Sequence, residues 1–150
     1  MDLSEFVNKH MTLSGIIKWC DQKKSLTPIG DFTMPKQAGV YTMVEGIDVI
    51  KHGSSKDLWR RWNKEYLNHT YYNSPDRIAR DRQVRAYRSY FIGNNKGTLS
   101  VFYLASEIET TDPIFNEPTI ATLKNFYENK LTDLASKSNH SLALMKQRKS

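Results

Sequence analysis

Apolar positions along this chain change period several times, and each change marks an element. From Leu3 to Cys20, the residues Leu3, Phe6, Val7, His10, Leu13, Ile16, Ile17 and Cys20 fall at steps near three and four. That spacing predicts an amphipathic helix over 3–20, with Gly15 its weak point. Residues 21–38 carry Pro28, Gly30 and Pro35 as breakers and read as loop. The period then shortens. Residues 39–44 are rich in strand formers, Glu45 and Gly46 suit a turn, and residues 47–51 are short and β-branched, which together predict a hairpin. Asp57, behind Ser54 and Ser55, is placed to cap a helix reaching Leu67, with Leu58, Trp59, Trp62 and Tyr66 as its apolar side.

A polar loop over 68–74 leads to Pro75, which opens a second helix to Tyr90, and a turn follows at 93–97. Residues 99–105 are apolar nearly throughout, the signature of a central strand. A last helix is predicted over 117–134, with Ile120, Leu123, Tyr127, Leu131 and Leu134 on one face. The pattern predicts an α+β fold: a small three-stranded antiparallel sheet, made of a hairpin plus a central strand, flanked by helices. It divides the chain into an N-terminal helix and linker over 1–36 that pack on the core, a core over 37–135, and a mobile basic tail over 136–150.

Composition narrows the class. A chain of 150 residues, 39% hydrophobic, supports one domain with a real core. The single cysteine, Cys20, cannot form an internal disulfide, which points to a reducing compartment. No apolar run approaches the ~20 residues of a membrane span. The start, Met1-Asp2-Leu3-Ser4-Glu5, is acidic and unlike a signal peptide. These features predict an intracellular, cytoplasmic protein with no membrane partner. His10, His52, His69 and His140 show no ligand spacing with one another or with Cys20, which argues against structural zinc. The net charge of +6 and pI near 9.4 favour an anionic partner, nucleic acid first.

That charge is local. Between Lys56 and Arg88 lie nine basic residues against four acidic ones. Arg77, Arg80, Arg85 and Arg88, interleaved with Tyr87 and Tyr90, suit a face that tracks DNA phosphates, and Lys56, Arg60 and Lys64 extend it. The alternative is a solvated helix paired with its own Asp76 and Asp81.

Beside this stretch lie candidate parts for cutting a phosphodiester, which needs an activated water, a cation on the phosphate and stabilisation of developing charge. Tyr41 is a candidate base. Its free pKa of about 10 must fall by roughly 3, about 4 kcal/mol, for a poised phenolate. Lys51, on the neighbouring predicted strand, could favour the charged form. Arg60 and Arg61, consecutive on a helix, point about 100° apart. Arg61, beside the apolar Trp62, is placed to reach a phosphate with its planar fork, and Arg60 to contact the backbone.

The run Gly39-Val40-Tyr41, followed by Lys51-His52-Gly53-Ser54-Ser55-Lys56 and by Arg60-Arg61-Trp62, resembles the catalytic core of the GIY-YIG nucleases. Gly39-Val40-Tyr41 matches the first element as it stands, and Arg61 falls at the catalytic arginine. The second element departs, with Lys51 where the family usually has tyrosine, a substitution that some restriction and viral or phage members share. The family's further helix residue falls at Glu65 or Tyr66. The resemblance implies a metal-dependent DNA endonuclease with residues 37–135 as its nuclease-like core, acting within the host cell if viral. It makes Glu117 the residue that holds Mg2+, Tyr41 and Lys51 the water activators, Arg61 the stabiliser, and Tyr66 a further catalytic candidate. A sliding alignment would put Lys124 at the glutamate's place with Glu128 one turn away, and Glu107 and Glu109 stand outside it. Two other readings remain: a catalytically inactive nuclease-like protein that binds nucleic acid, and a small protein-interaction domain. Homo-oligomerisation stays open.

Overall fold

The N-terminal helix is shorter than its periodicity predicts. Helix α1 (Leu3–His10) is capped by Asp2, whose carboxylate accepts from the Glu5 N–H at 2.9 Å, and it buries Leu3, Phe6 and Val7. The helix expected over 3–20 stops there. In the computed structural model, which describes residues 1–67, 77–106, 114–115, 123–137 and 144, Thr12–Cys20 is strand β1, paired antiparallel with β2 (Ser25–Ile29). Ile17 is buried while Ile16 and Lys18 are exposed, the alternation of a strand. Gly15 also belongs here. A Cβ on it would lie 2.6 Å from the Asp31 carbonyl, so the following loop can pass close to the strand.

The predicted hairpin forms from β3 (Gly39–Glu45) and β4 (Asp48–Ser55), joined at Gly46, whose φ of 61° suits glycine. β5 (Leu99–Ala105) is central, as its apolar run predicts. It pairs antiparallel with β1 on one side and β3 on the other, giving a five-stranded sheet in the order β2-β1-β5-β3-β4. The α+β class holds, but the sheet has five strands rather than three because the N-terminal stretch supplies two of them. Residues 12–29 are thus part of the sheet.

Helices cover both faces. On one lie α2 (Leu58–Arg60), continued by a π-wound turn over Arg61–Tyr66, and α3 (Arg77–Arg88), continued by another over Ser89–Gly93. Leu58, Trp62, Tyr66, Tyr87, Tyr90 and Phe91 pack there with Tyr41, Met43, Leu99 and Val101. On the other, α1 and α4 (Leu123–Ser136) pack Phe6, Val7, Tyr127 and Leu131 against Val40, Val44 and Val49. Burial of alternate strand residues on opposite faces makes two cores, and it leaves β3 buried from Gly39 through Val44. Leu144 is buried with the first core and donates its N–H to the Ile50 carbonyl at 3.0 Å. Residues 117–122 of the last predicted helix lie outside the described residues. Among those described, no helix is long and apolar enough to cross a membrane.

Candidate active site

The site begins with a missing side chain. Tyr41 on β3 faces Gly53 on β4, and a Cβ at Gly53 would lie 2.4 Å from the Tyr41 oxygen. Only a glycine leaves the phenol room to lie across the neighbouring strand. The ring reaches the π-wound turn after α2, where its hydroxyl shares a 2.7 Å hydrogen bond with that of Tyr66. Trp62 stands edge-on to both rings, with centroids 5.3 Å from Tyr41 and 5.0 Å from Tyr66. These contacts fix both phenols in a packed wall.

The π-wound turn sets the cation. Its i→i+5 bonding is explicit in the Leu67 N–H, which donates to the Trp62 carbonyl at 2.8 Å. Residues five apart then stand one turn apart, so Arg61 lies over Tyr66, its guanidinium carbon 5.8 Å from the ring centroid. Its Nε meets Glu65 at 2.9 Å. Half-burial by itself would lower the arginine pKa, but Tyr66, Tyr41 and Glu65 outweigh it and raise the value, so the positive charge is secure. Arg60, the next residue back, is exposed and takes no part in the cluster.

A bulge delivers Lys51. The pairing of β3 with β4 shifts between Met43 and Val44, leaving Ile50 as the extra residue. A bulge lets two consecutive side chains face one way. Ile50 joins the first core, and Lys51 reaches the same side, its Nζ 5.1 Å from the Tyr66 ring centroid. The ammonium donates to the Tyr87 hydroxyl at 3.1 Å. The sequence pattern places Tyr87 among the arginines of a DNA-tracking face, but it is buried and stacks on Trp19. A period of 3.6 run inward from Tyr90 would have found it.

Electrostatics correct one expectation. Burial, followed by the proximity and hydrogen bond of Tyr66, holds the Tyr41 pKa well above the ordinary tyrosine value, and only Arg61 pulls it down. Lys51 is engaged with Tyr87 instead of lowering Tyr41. In this arrangement Tyr41 is a neutral phenol, not a poised phenolate.

The expected residues divide into groups. Tyr41, Lys51, Arg61 and Tyr66 converge on one side of the sheet. Glu117, Glu107 and Glu109 lie outside the described residues, as do the side chains of Arg77, Arg80 and Lys124. Glu128 is excluded from this cluster: it extends from α4 on the opposite face, where its carboxylate lies 3.4 Å from His52 Nδ1. Lys56, Arg60, Lys64, Arg85 and Arg88 are exposed, and Arg88 pairs with Asp21 at 2.9 Å. Among the described residues, no three His, Cys, Asp or Glu come together as a cation cage.

No known family signature matches the sequence, and no curated protein is similar to it in sequence. The fold is that of a solved structure, a mutant of bacteriophage T4 EndoII. The likeness has a TM-score of 0.57 at 12% identity and spans 94% of this chain and 98% of that one. Restriction endonuclease HPY188I in complex with product DNA overlays more loosely, with a TM-score of 0.40 at 14% identity over 93% of this chain and 82% of that one. That second likeness is too loose to bear on the fold.

Proposed function

We propose that this chain is a DNA endonuclease of the GIY-YIG kind that hydrolyses a phosphodiester with magnesium. The observation that carries it is the packing of Tyr41 against Tyr66, at 2.7 Å between their oxygens, directly beside the half-exposed guanidinium of Arg61. A phenol pair and a fixed cation are the parts a phosphate needs for water positioning and charge neutralisation. The fold of T4 EndoII, a nuclease, supports the same reading.

Arg61 binds a non-bridging phosphate oxygen and stabilises the extra charge of the five-coordinate transition state. Glu65 holds its planar fork in place from the side away from the phosphate. Tyr41 and Tyr66 orient the attacking water, and Tyr41 accepts its proton once its own has passed to solvent. Lys51 keeps Tyr87 and Tyr66 positioned. Among the described residues, the cluster itself offers Glu65 as its carboxylate, and that group is committed to Arg61. Magnesium, which needs few protein ligands and keeps much of its water, is assigned to Glu117, where it would neutralise phosphate charge. No step above depends on its position.

One observation favours a second reading, DNA binding without cleavage: burial holds Tyr41 protonated. Plasmid nicking separates the two. The endonuclease converts supercoiled DNA in magnesium and stops on chelation. Arg61→Ala and Tyr41→Phe each lower the rate by about 10² to 10⁴, with folding checked by circular dichroism. Full cleavage by either variant removes that residue's role, and no nicking by the wild type leaves the binding reading.

A further inference from the structure

At the edge of the first core, Trp59 of α2 packs against the cluster and carries an arrangement that the site described above does not use. Trp59 is half-buried there, and two ammonium groups from different segments converge on its indole. Lys36 Nζ lies 4.8 Å from a Trp59 ring centroid and Lys64 Nζ 5.6 Å. Both lysines are exposed. The loop bearing Lys36 is tied to the helix, since the Trp59 N–H donates to the Pro35 carbonyl at 3.0 Å and the Leu58 N–H to that of Gln37 at 2.9 Å. The backbone on either side of Lys36 is therefore fixed relative to Trp59. On the other flank, Asn63 Nδ2 donates to the Trp59 carbonyl at 3.1 Å.

The basic groups around Trp59 differ from several others on the surface. Lys9, Arg61, Arg88 and Lys96 each meet a carboxylate. Among the described residues, no carboxylate forms an ion pair with Lys36, Lys56, Arg60 or Lys64. Like charges gathered around one ring, with no ion-pair partner among the described residues, present a ready site for an anion that also has a flat apolar face. A nucleic-acid strand has both, with phosphates for the ammonium groups and a base or sugar for the indole.

We propose that Trp59, Lys36 and Lys64 form a subsite for the DNA strand flanking the scissile phosphate. One backbone phosphate is bridged between the two lysines, and the adjoining nucleotide lies on the indole. Trp59 precedes Arg61 by two residues on the same helical segment, which puts the subsite next to the catalytic arginine. The inference rests on the DNA reading above, but on binding alone and not on cleavage.

The test follows the affinity of the full chain for a short duplex, by fluorescence anisotropy, across a series of salt concentrations. Lys36→Gln with Lys64→Gln should flatten the salt dependence by about 0.9, the loss of the one bridged phosphate contact. Lys18→Gln with Lys23→Gln, exposed lysines on another part of the surface, removes the same charge and should leave the slope unchanged. Trp59→Phe keeps a ring for packing and should abolish the DNA-induced quenching of tryptophan emission. An unchanged slope for the first pair, an equal loss in the control pair, or undiminished quenching in Trp59→Phe would overturn the subsite while leaving the nuclease reading intact. A wild type that binds no DNA at any salt overturns both. One that binds but does not cut removes only the catalytic reading.

Discussion

At the scale of single residues, the site depends on one absent Cβ. Replacing Gly53 by alanine forces the Tyr41 phenol off its line, because the new carbon would lie 2.4 Å from its oxygen. The expected cost is about 1–3 kcal/mol of stability, as for other overpacked positions, together with loss of cleavage. Urea unfolding and plasmid nicking read the two effects, and a fully active Gly53→Ala would mean that the phenol's position is immaterial. Acid–base behaviour gives a second expectation. Burial holds Tyr41 above the ordinary tyrosine pKa, so the reactive phenolate grows about tenfold per pH unit through neutral pH. The single-turnover rate should rise with that slope between about pH 6 and 9, and a plateau near neutrality would remove Tyr41 as the base. Tyr41, Lys51 and Arg61 were legible because strand, turn and helix signals placed them on adjacent elements. Tyr87 was not, since its arginine neighbours disguised an inward side chain. Nor was the direction of the Tyr41 shift, which depends on how tightly the surrounding rings exclude water.

At the scale of elements, local pattern decided some assignments and partner strands decided others. β3, α2 and β5 follow their signals closely, down to the Asp57 cap, whose carboxylate accepts from the Arg60 N–H at 3.1 Å. β4 runs on past the expected 47–51 to Ser55, because Gly53, Ser54 and Ser55 pair with β3. β1 does not follow its signal. Its apolar residues satisfy a helical spacing, but Leu13 and Ile16 are exposed, and pairing with β5 supplied what periodicity could not show. The bulge at Ile50 and the two π-wound turns were equally hidden, as each shifts register by a residue without a composition mark. Within α3, the arginines are not equivalent. Arg88 is engaged by Asp21, while Arg85 is exposed with no ion pair among the described residues. Arg85→Ala should weaken DNA binding to all sequences alike and flatten the salt slope by about 0.9, and Arg88→Ala should change it less. Equal slopes for Arg85→Ala and wild type would make this face merely solvated.

At the scale of the whole molecule, two tyrosines tie stability to alkaline pH. Burial first, then Tyr66, raises the Tyr41 pKa; burial first, then the hydrogen bond to Glu45, raises that of Tyr90. The folded protein keeps both protons past the point where the unfolded chain loses them, near pH 10. The contribution of these two tyrosines should therefore be level below about pH 10 and fall above it. Tyr41→Phe with Tyr90→Phe should flatten that fall in urea titrations, and an unaltered decline would place its origin elsewhere. The sheet order has a consequence for biosynthesis. β5 joins the β1–β2 pair to the β3–β4 pair, yet it is the last of the five strands to leave the ribosome. Until then, the nascent chain holds two hairpins with no common partner, and the flanks that β5 will occupy on β1 and β3 are bare. Such flanks invite pairing with a neighbouring chain. Any stall before residue 99 thus produces an aggregation-prone species rather than a smaller stable domain, which makes prompt synthesis of the central strand the step on which a soluble product depends.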